Sequence, residues 1–225
     1  MAVEELSGIG LKNFMFFMII AIICFISSYW IQGNVTLIGI FAITTFITQL
    51  ALNAAATLNP LVCGTMRVDT ALIYTLIPWI LVVGVGNLFM YNFSGWIRVF
   101  SNTIGMWLSY KFLSSGIKIN KEATPPGENP QYIKLYTEIL EKPQTIINEI
   151  NILDKTDEEI KTLFENRYKG VNPHIFTTEN NPIIIKIIKY KNKIGIIIWN
   201  ILFGLIASMI STNSLLNSGC SVNVI

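Results

Sequence analysis

Three polar side chains fall at regular intervals in a largely apolar segment of the chain. Thr45, Gln49 and Asn53 are four residues apart, so they line one face of a helix. Such a stripe could line a path for an ion or solute, or it could form hydrogen bonds between packed helices. No ionisable residue accompanies the stripe, and such residues are the usual mark of a transport path in a membrane. The pattern therefore favours a role in helix packing.

A second set of small residues recurs every four positions near the end of the chain. Gly204, Ser208 and Thr212 form a seam on which another helix can pack closely. The seam predicts a helix–helix contact, and the partner helix could belong to this chain or to a second copy.

Residues that could carry out catalysis or bind a metal are scarce. His174 is the single histidine, so the chain has no histidine cluster. Cys24, Cys63 and Cys220 are too few and too scattered for a disulfide framework or a zinc site. We therefore expect a protein that is not an enzyme and that needs no cofactor or metal.

The overall composition indicates a membrane protein. Hydrophobic residues make up 52% of the 225 residues and charged residues only 13%, about half the share of an average soluble domain. The charges are also segregated, because residues 118–193 hold twelve basic and eleven acidic residues. This composition excludes a disordered chain, a nucleic-acid-binding arm and an ordinary cytosolic enzyme.

Long apolar runs predict an all-α polytopic membrane protein with about five transmembrane helices and a small helical cytosolic region between the fourth and fifth. A spanning helix needs about 20 mostly apolar residues. Residues 96–117 contain several polar side chains, so this fourth segment could instead be a helix that lies in the membrane interface. The expected organisation is an N-terminal segment 1–12, a four-helix transmembrane region 13–117, a soluble helical region 118–181, a basic stalk with the last span 182–212, and a tail 213–225.

The soluble region is expected to begin with an extended, proline-rich arm, because prolines exclude helix. Short helices should follow at 131–141 and from Pro143, and Thr156 with Glu159 forms a capping box that predicts a third. Asn181 and Pro182 are a good N-cap and first residue for the last helix. We expect partner proteins to dock on this region, with contact residues Pro125, Pro126, Pro130, Tyr132 and Tyr136.

Basic residues beside the predicted spans indicate which side of the membrane each segment occupies. Positive residues near span ends are retained in the cytosol, which places residues 118–193 there. Five spans would put the N-terminal segment in the cytosol too, whereas four would put it outside. Aromatic and basic residues at span ends are expected to anchor at the level of the lipid headgroups; these are Tyr29, Trp30, Trp96, Arg98, Lys186, Lys189, Lys191 and Lys193.

One stretch of the chain has a distinctive order of residues. Gly95–Gly105 reads GWIRVFSNTIG, and Ile77-Pro78-Trp79 and the loop Asn59–Gly64 precede it. Over about Leu58 to Gly105 the chain resembles multi-pass membrane proteins of nucleocytoplasmic large DNA viruses, which carry a similar Pro-Trp span followed by a Gly-Trp and Phe-Ser-Asn-Thr segment. The resemblance implies a structural protein in the lipid membrane beneath an icosahedral capsid.

These features together predict a structural protein of a virion inner membrane derived from the host endoplasmic reticulum. Residues 118–193 would anchor that membrane to capsid-layer proteins during assembly, and the bilayer or a second copy of the chain would be further partners. Their nearly balanced charge argues against nucleic acid. The alternatives are a non-catalytic subunit of a cellular or organellar membrane complex, or a small channel or transporter if the Thr45–Asn53 stripe is hydrated.

Overall fold

The computed structural model describes residues 2–27, 34–117, 130–150, 155–167, 181–218 and 220, and the regular elements within these ranges are all helical. The predicted all-α class is confirmed. The helices, in chain order, are α1 (Ala2–Ser27), α2 (Asn34–Ala56), α3 (Val68–Pro78), α4 (Val85–Asn92), α5 (Gly95–Phe100), α6 (Met106–Leu113), α7 (Pro130–Glu141), α8 (Pro143–Glu149), α9 (Asp157–Arg167) and α10 (Asn181–Asn217). A π turn at Trp79–Gly84 joins α3 to α4, a second at Ser101–Gly105 joins α5 to α6, and a 3-10 turn at Ser114–Gly116 follows α6.

Four helical segments in the described part of the chain are long and apolar enough to cross a membrane. They are Ser7–Ser27, Val35–Ala56, Val68–Asn92 and Pro182–Asn217. The predicted span at 96–117 is not among them, because its apolar residues alternate with polar ones such as Arg98, Asn102 and Lys111. The expectation of about five spans is therefore not confirmed, and four helices of this kind take its place.

The third of these segments changes its hydrogen-bonding pattern at Pro78. Proline has no backbone N–H and cannot donate to the preceding turn. The chain widens there into the π turn Trp79–Gly84 and then continues as α4. The segment Val68–Asn92 thus remains helical through an internal proline, and Trp79 stays buried.

The chain divides into two compact units, one formed by residues 1–93 and 197–225 and the other by residues 94–196. Helix α10 contributes residues 181–196 to the second unit and its remaining residues to the first. These boundaries differ from the predicted ones, because residues 96–117 and 182–196 group with the soluble region.

The first unit packs α1, α2, the α3–α4 segment and the later part of α10 around an aromatic core. Its centre includes Phe17, Phe41, Trp79 and Phe203. Gly204 allows this packing, because a Cβ atom there would lie 2.8 Å from the Phe17 ring. The outward side chains are large and apolar, as expected of a surface that faces lipid; they include Ile22, Ile43, Ile47, Leu81 and Leu88.

The second unit has a core of its own, built from α6 to α9 and the first turns of α10. Its buried side chains include Met106, Tyr136, Ile147, Phe164 and Ile187. The apolar residues of the predicted stalk therefore complete the core of the second unit. A region with few large apolar groups gains the buried surface it needs in this way.

Candidate functional site

Seven polar side chains meet inside the first unit, and we call this group the polar clasp. Helices α1, α2, α3 and α10 each contribute at least one of them. Each side chain belongs to a residue that is at most 5% exposed. The members are Asn13, Gln49, Asn53, Thr75, Ser208, Ser211 and Thr212.

Asn53 is the centre of the clasp, because its amide contacts all three of the other helices. Its Nδ2 donates to Thr75 Oγ1 at 2.8 Å and to Ser211 Oγ at 2.6 Å. Its Oδ1 accepts from Asn13 Nδ2 at 3.3 Å and from Thr212 Oγ1 at 3.4 Å. Both donors and the acceptor of this one amide are therefore used.

Gln49 forms the second connection between α2 and α10. Its Nε2 donates to Thr212 Oγ1 at 2.9 Å and to Asn53 Oδ1 at 3.0 Å, and its Oε1 accepts from Ser208 Oγ at 2.5 Å. The structure thus brings the predicted stripe on α2 against the predicted seam on α10, and the seam's partner lies in the same chain.

Thr45 lies on the same face of α2 but takes no part in these contacts. Its hydroxyl donates to the backbone oxygen of Phe41 at 2.6 Å, within its own helix. The predicted stripe therefore divides: Gln49 and Asn53 bond to other helices, whereas Thr45 satisfies its buried hydroxyl locally.

The chemistry of the clasp is that of neutral amides and hydroxyls bonded to one another. A buried polar group without a partner costs free energy, so each of these bonds favours the packed arrangement of helices over a separated one. Interhelical hydrogen bonds in membranes contribute about 0.6 kcal/mol each on average. The geometry therefore suits the joining of four apolar helices into one block.

A second polar group lies in the second unit, around Lys191. This residue is fully buried. Its Nζ donates to the backbone oxygen of Asn148 at 2.6 Å, to Asn102 Oδ1 at 3.1 Å and to Asn148 Oδ1 at 3.3 Å. These three acceptors match the three hydrogens of an ammonium group. The lysine thus connects α10 to α8 and to the π turn between α5 and α6.

This position differs from the expected place of Lys191 at the lipid headgroups. The residue lies on the side of α10 that faces α8, so its ammonium is enclosed by protein. Lys189 is exposed but pairs with Asp157. Lys186 is exposed and Lys193 is half-buried. The four lysines therefore do not act as one basic stalk.

The other expected anchors and docking residues differ in where they lie. Trp96 and Arg98 are exposed, and Pro130 begins α7 at the surface. Tyr136 is 2% exposed and belongs to the core of the second unit, so its side chain is unavailable for docking. Tyr132 lies within α7, and Tyr29, Trp30, Pro125 and Pro126 lie outside the described residues.

A disulfide bond joins Cys63 and Cys220, whose Cα atoms are 5.3 Å apart. The two residues are separated by 157 positions, and no local pattern in the sequence predicts their pairing. The loop around Cys63 is also held by packing, because buried Val62 clusters with Leu215 near the end of α10. The disulfide therefore fastens the loop after α2 to the residues that follow α10.

Comparison of the chain with known proteins found no matching family model, no similar curated protein and no similar solved structure.

Proposed function

We propose that this chain is a non-catalytic membrane anchor, held in the bilayer by four helices, whose cytosolic region binds a protein layer. The observation that carries this proposal is the polar clasp. Its neutral groups bond to one another across four apolar helices, as in a packed structural block. A channel would instead need these groups to face water and to exchange partners with a passing solute.

The clasp supports a particular arrangement of helix ends. Asn13 lies in the first half of α1 and Thr75 in the first half of the segment Val68–Asn92, whereas Asn53 is near the end of α2 and Thr212 near the end of α10. Hydrogen bonds join these residues. We take the helix ends nearest to them to lie toward one face of the membrane.

The opposite ends of the same helices are also linked. Asn87 Nδ2, in α4, donates to Asn200 Oδ1, in α10, at 3.0 Å. We therefore infer that the chain leaves the first unit after residue 93 and returns to it at residue 197 on the same face of the membrane. Residues 94–196 must then cross the membrane an even number of times. We take that number to be zero, and the topology to have four spans.

Charge and redox chemistry favour one orientation of this topology. Fourteen of the sixteen Lys and Arg residues lie in 94–193, and only Lys12 and Arg67 lie near the other face. Positive residues are retained in the cytosol, so residues 94–193 would be cytosolic. The opposite face then holds the Cys63–Cys220 disulfide, and disulfides persist in oxidising compartments outside the cytosol.

The cytosolic region offers a mixed-charge surface for protein contacts. Helix α7 exposes Ile133 beside charged Lys134 and Glu138, and α9 exposes Leu163 beside charged neighbours. Complementary charge patterns of this kind give specificity to protein interfaces. Because part of the chain resembles proteins of large DNA viruses, we propose that the protein layer it binds is the capsid. The capsid would face the cytosolic leaflet of a membrane derived from the host endoplasmic reticulum.

Photo-crosslinking in intact particles or isolated membranes tests the anchor. Crosslinkers at Ile133 and Leu163 should form adducts with one protein of the surrounding layer, while a crosslinker at Thr48, on the outer face of α2, should form adducts with lipid. A capsid-layer adduct would support the viral proposal, and a subunit of a cellular complex would support the alternative. Adducts only to lipid or to this chain would contradict docking.

A further inference from the structure

The helical segment Gly95–Leu113, comprising α5, the π turn and α6, has one face that contacts protein. Ile97, Ser101, Gly105 and Ser109 are buried at intervals of four residues. The contact with α10 is close, because a Cβ atom on Gly195 would lie 2.8 Å from the backbone nitrogen of Ser101. This small-residue face is occupied within the second unit.

The other face of this segment is apolar and exposed. Five large side chains on it are 42–73% exposed. These are Trp96, Val99, Ile104, Trp107 and Phe112. An exposed row of this size, two tryptophans included, is more apolar than a surface in contact with water normally is.

The π turn aligns this apolar face along the whole segment. A regular α-helix advances 100° per residue, so Phe112 would lie about 160° around the helix from Trp96. The extra residue taken up by the π turn rotates the later residues back by about 100°. Phe112 is thereby brought to about 60° from Trp96, and Trp107 to about 20° from Val99, so all of these side chains lie on one side of the segment.

The charges on this segment are positive. Arg98 and Lys111 are the only charged residues between Ser94 and Ile117, and both are exposed. Lys111 Nζ lies 5.3 Å from the centre of the Trp107 ring. Tryptophan with a neighbouring basic residue is the combination that favours the boundary between acyl chains and anionic headgroups.

We infer that Gly95–Leu113 is an interfacial helix that binds the cytosolic leaflet through Trp96, Val99, Ile104, Trp107 and Phe112, with anionic lipid headgroups at Arg98 and Lys111. The inference rests on the proposed topology, in which this segment is cytosolic. Chain connectivity supports it, because Gly95 follows by three residues the end of a membrane-spanning segment at Asn92. Three extended residues reach only about 10 Å, so the segment begins at the membrane surface.

Depth-dependent quenching in reconstituted vesicles tests this inference on the full chain. An environment-sensitive fluorophore is attached to Ile104→Cys in a Cys24→Ala background, with Cys63 and Cys220 oxidised. Vesicles contain phosphatidylcholine with or without phosphatidylserine, and lipids that carry a quencher at a shallow or a deep acyl position. Ile47→Cys on α2 is the deep reference, and Glu138→Cys on α7 is the aqueous reference.

We expect the Ile104 label to be quenched by the shallow lipid quencher and protected from a water-soluble one. Replacing both basic residues, Arg98→Gln and Lys111→Gln, should lower the ratio of lipid to aqueous quenching on phosphatidylserine vesicles by about fivefold for each charge removed. The same pair of substitutions should change little on phosphatidylcholine alone.

Three results would overturn the inference, and they differ from one another. Quenching only from water would show that the face does not bind lipid. Protection from both kinds of quencher would show that a second copy or another protein covers it. Strongest quenching at the deep position would show that the segment spans the bilayer, in which case the proposed topology fails with it.

Discussion

At the scale of single residues, the amide of Asn53 is the most connected group of the polar clasp. It makes four hydrogen bonds to the other three helices of the clasp. Asn87 provides a comparison in the same unit, because its amide makes one such bond, to Asn200. Both residues are asparagines, so they differ in the number of interhelical hydrogen bonds and not in the type of side chain.

Asn53→Leu should therefore destabilise the first unit more than Asn87→Leu. At about 0.6 kcal/mol for each interhelical bond, the expected losses are about 2 kcal/mol and about 0.6 kcal/mol. Unfolding in mixed detergent micelles measures both. Equal effects of the two substitutions would show that the clasp is not the main connection between the helices.

Glu159 is a surface carboxyl whose titration depends on a local capping box. The backbone N–H and the hydroxyl of Thr156 both donate to its carboxylate, and these bonds lower the pKa of Glu159 below its ordinary value. Because the pKa of Glu159 is lower in the folded state than in the unfolded chain, its carboxylate stabilises the fold at pH values above the unfolded pKa. This stabilisation is lost as the pH falls through the pKa of the folded state.

Thr156→Ala should move the pKa of Glu159 part of the way back toward that ordinary value, because it removes the hydroxyl donor of the capping box and keeps the backbone N–H. Titration of the Glu159 side chain by NMR in the full chain measures the change. Thr162→Ala, also on α9, is the control, since the Thr162 hydroxyl donates to the backbone oxygen of Glu158 and not to the Glu159 carboxylate. A pKa unmoved by Thr156→Ala would contradict the capping box.

At the scale of elements, the second unit is organised by one close crossing of helices. Gly105 and Gly195 lie where α10 meets the π turn, and a Cβ atom on Gly105 would collide with the backbone oxygen of Lys191. The crossing also brings Lys191 within reach of Asn102. The small residues and the buried lysine therefore act at the same contact.

Gly105→Ala should destabilise the second unit by about 1–3 kcal/mol, the usual cost of overpacking a tight contact. Gly95→Ala is the matched control, because a Cβ atom there would meet nothing within 4 Å. Hydrogen exchange across α5, α6 and residues 181–196 reports the effect. Similar exchange in the two variants would mean that the helices are farther apart than the structure shows.

At the scale of the whole molecule, the proposed topology places each region on a definite side of the membrane. In this topology the start of α1 and the end of α10 lie on the same side of the membrane, as their Asn13–Thr212 hydrogen bond favours, and Cys63 and Cys220, which form a disulfide, belong to the same unit. Five spans would instead separate Cys63 from Cys220 by the width of the bilayer. The disulfide therefore supports an even number of membrane crossings between Cys63 and Cys220.

Protease protection of tagged chains in sealed vesicles should distinguish the two topologies. Tags at the N-terminus and after Ile225 should be protected together, and a tag inserted after Glu128 should show the opposite protection. Five spans would give the N-terminal tag the same protection as the tag after Glu128. Reduction before alkylation should be required to label Cys63 and Cys220.

The amino-acid sequence by itself determined the helical class, the four long apolar segments and the first residues of several helices in the described part of the chain. Asn181 with Pro182 begins α10, and Thr156 with Glu159 begins α9, as their types predict. These features depend on residues within a few positions of one another, because capping and apolar periodicity are local properties.

Only the tertiary structure decided which of these segments pack together and which residues they enclose. Gln49 bonds Ser208 across 159 positions, and Cys63 bonds Cys220 across 157. Lys191 looks in sequence like its neighbouring lysines but is buried because α8 and the π turn supply oxygens around it. Such choices depend on contacts between distant segments, so no local pattern of residue types predicts them.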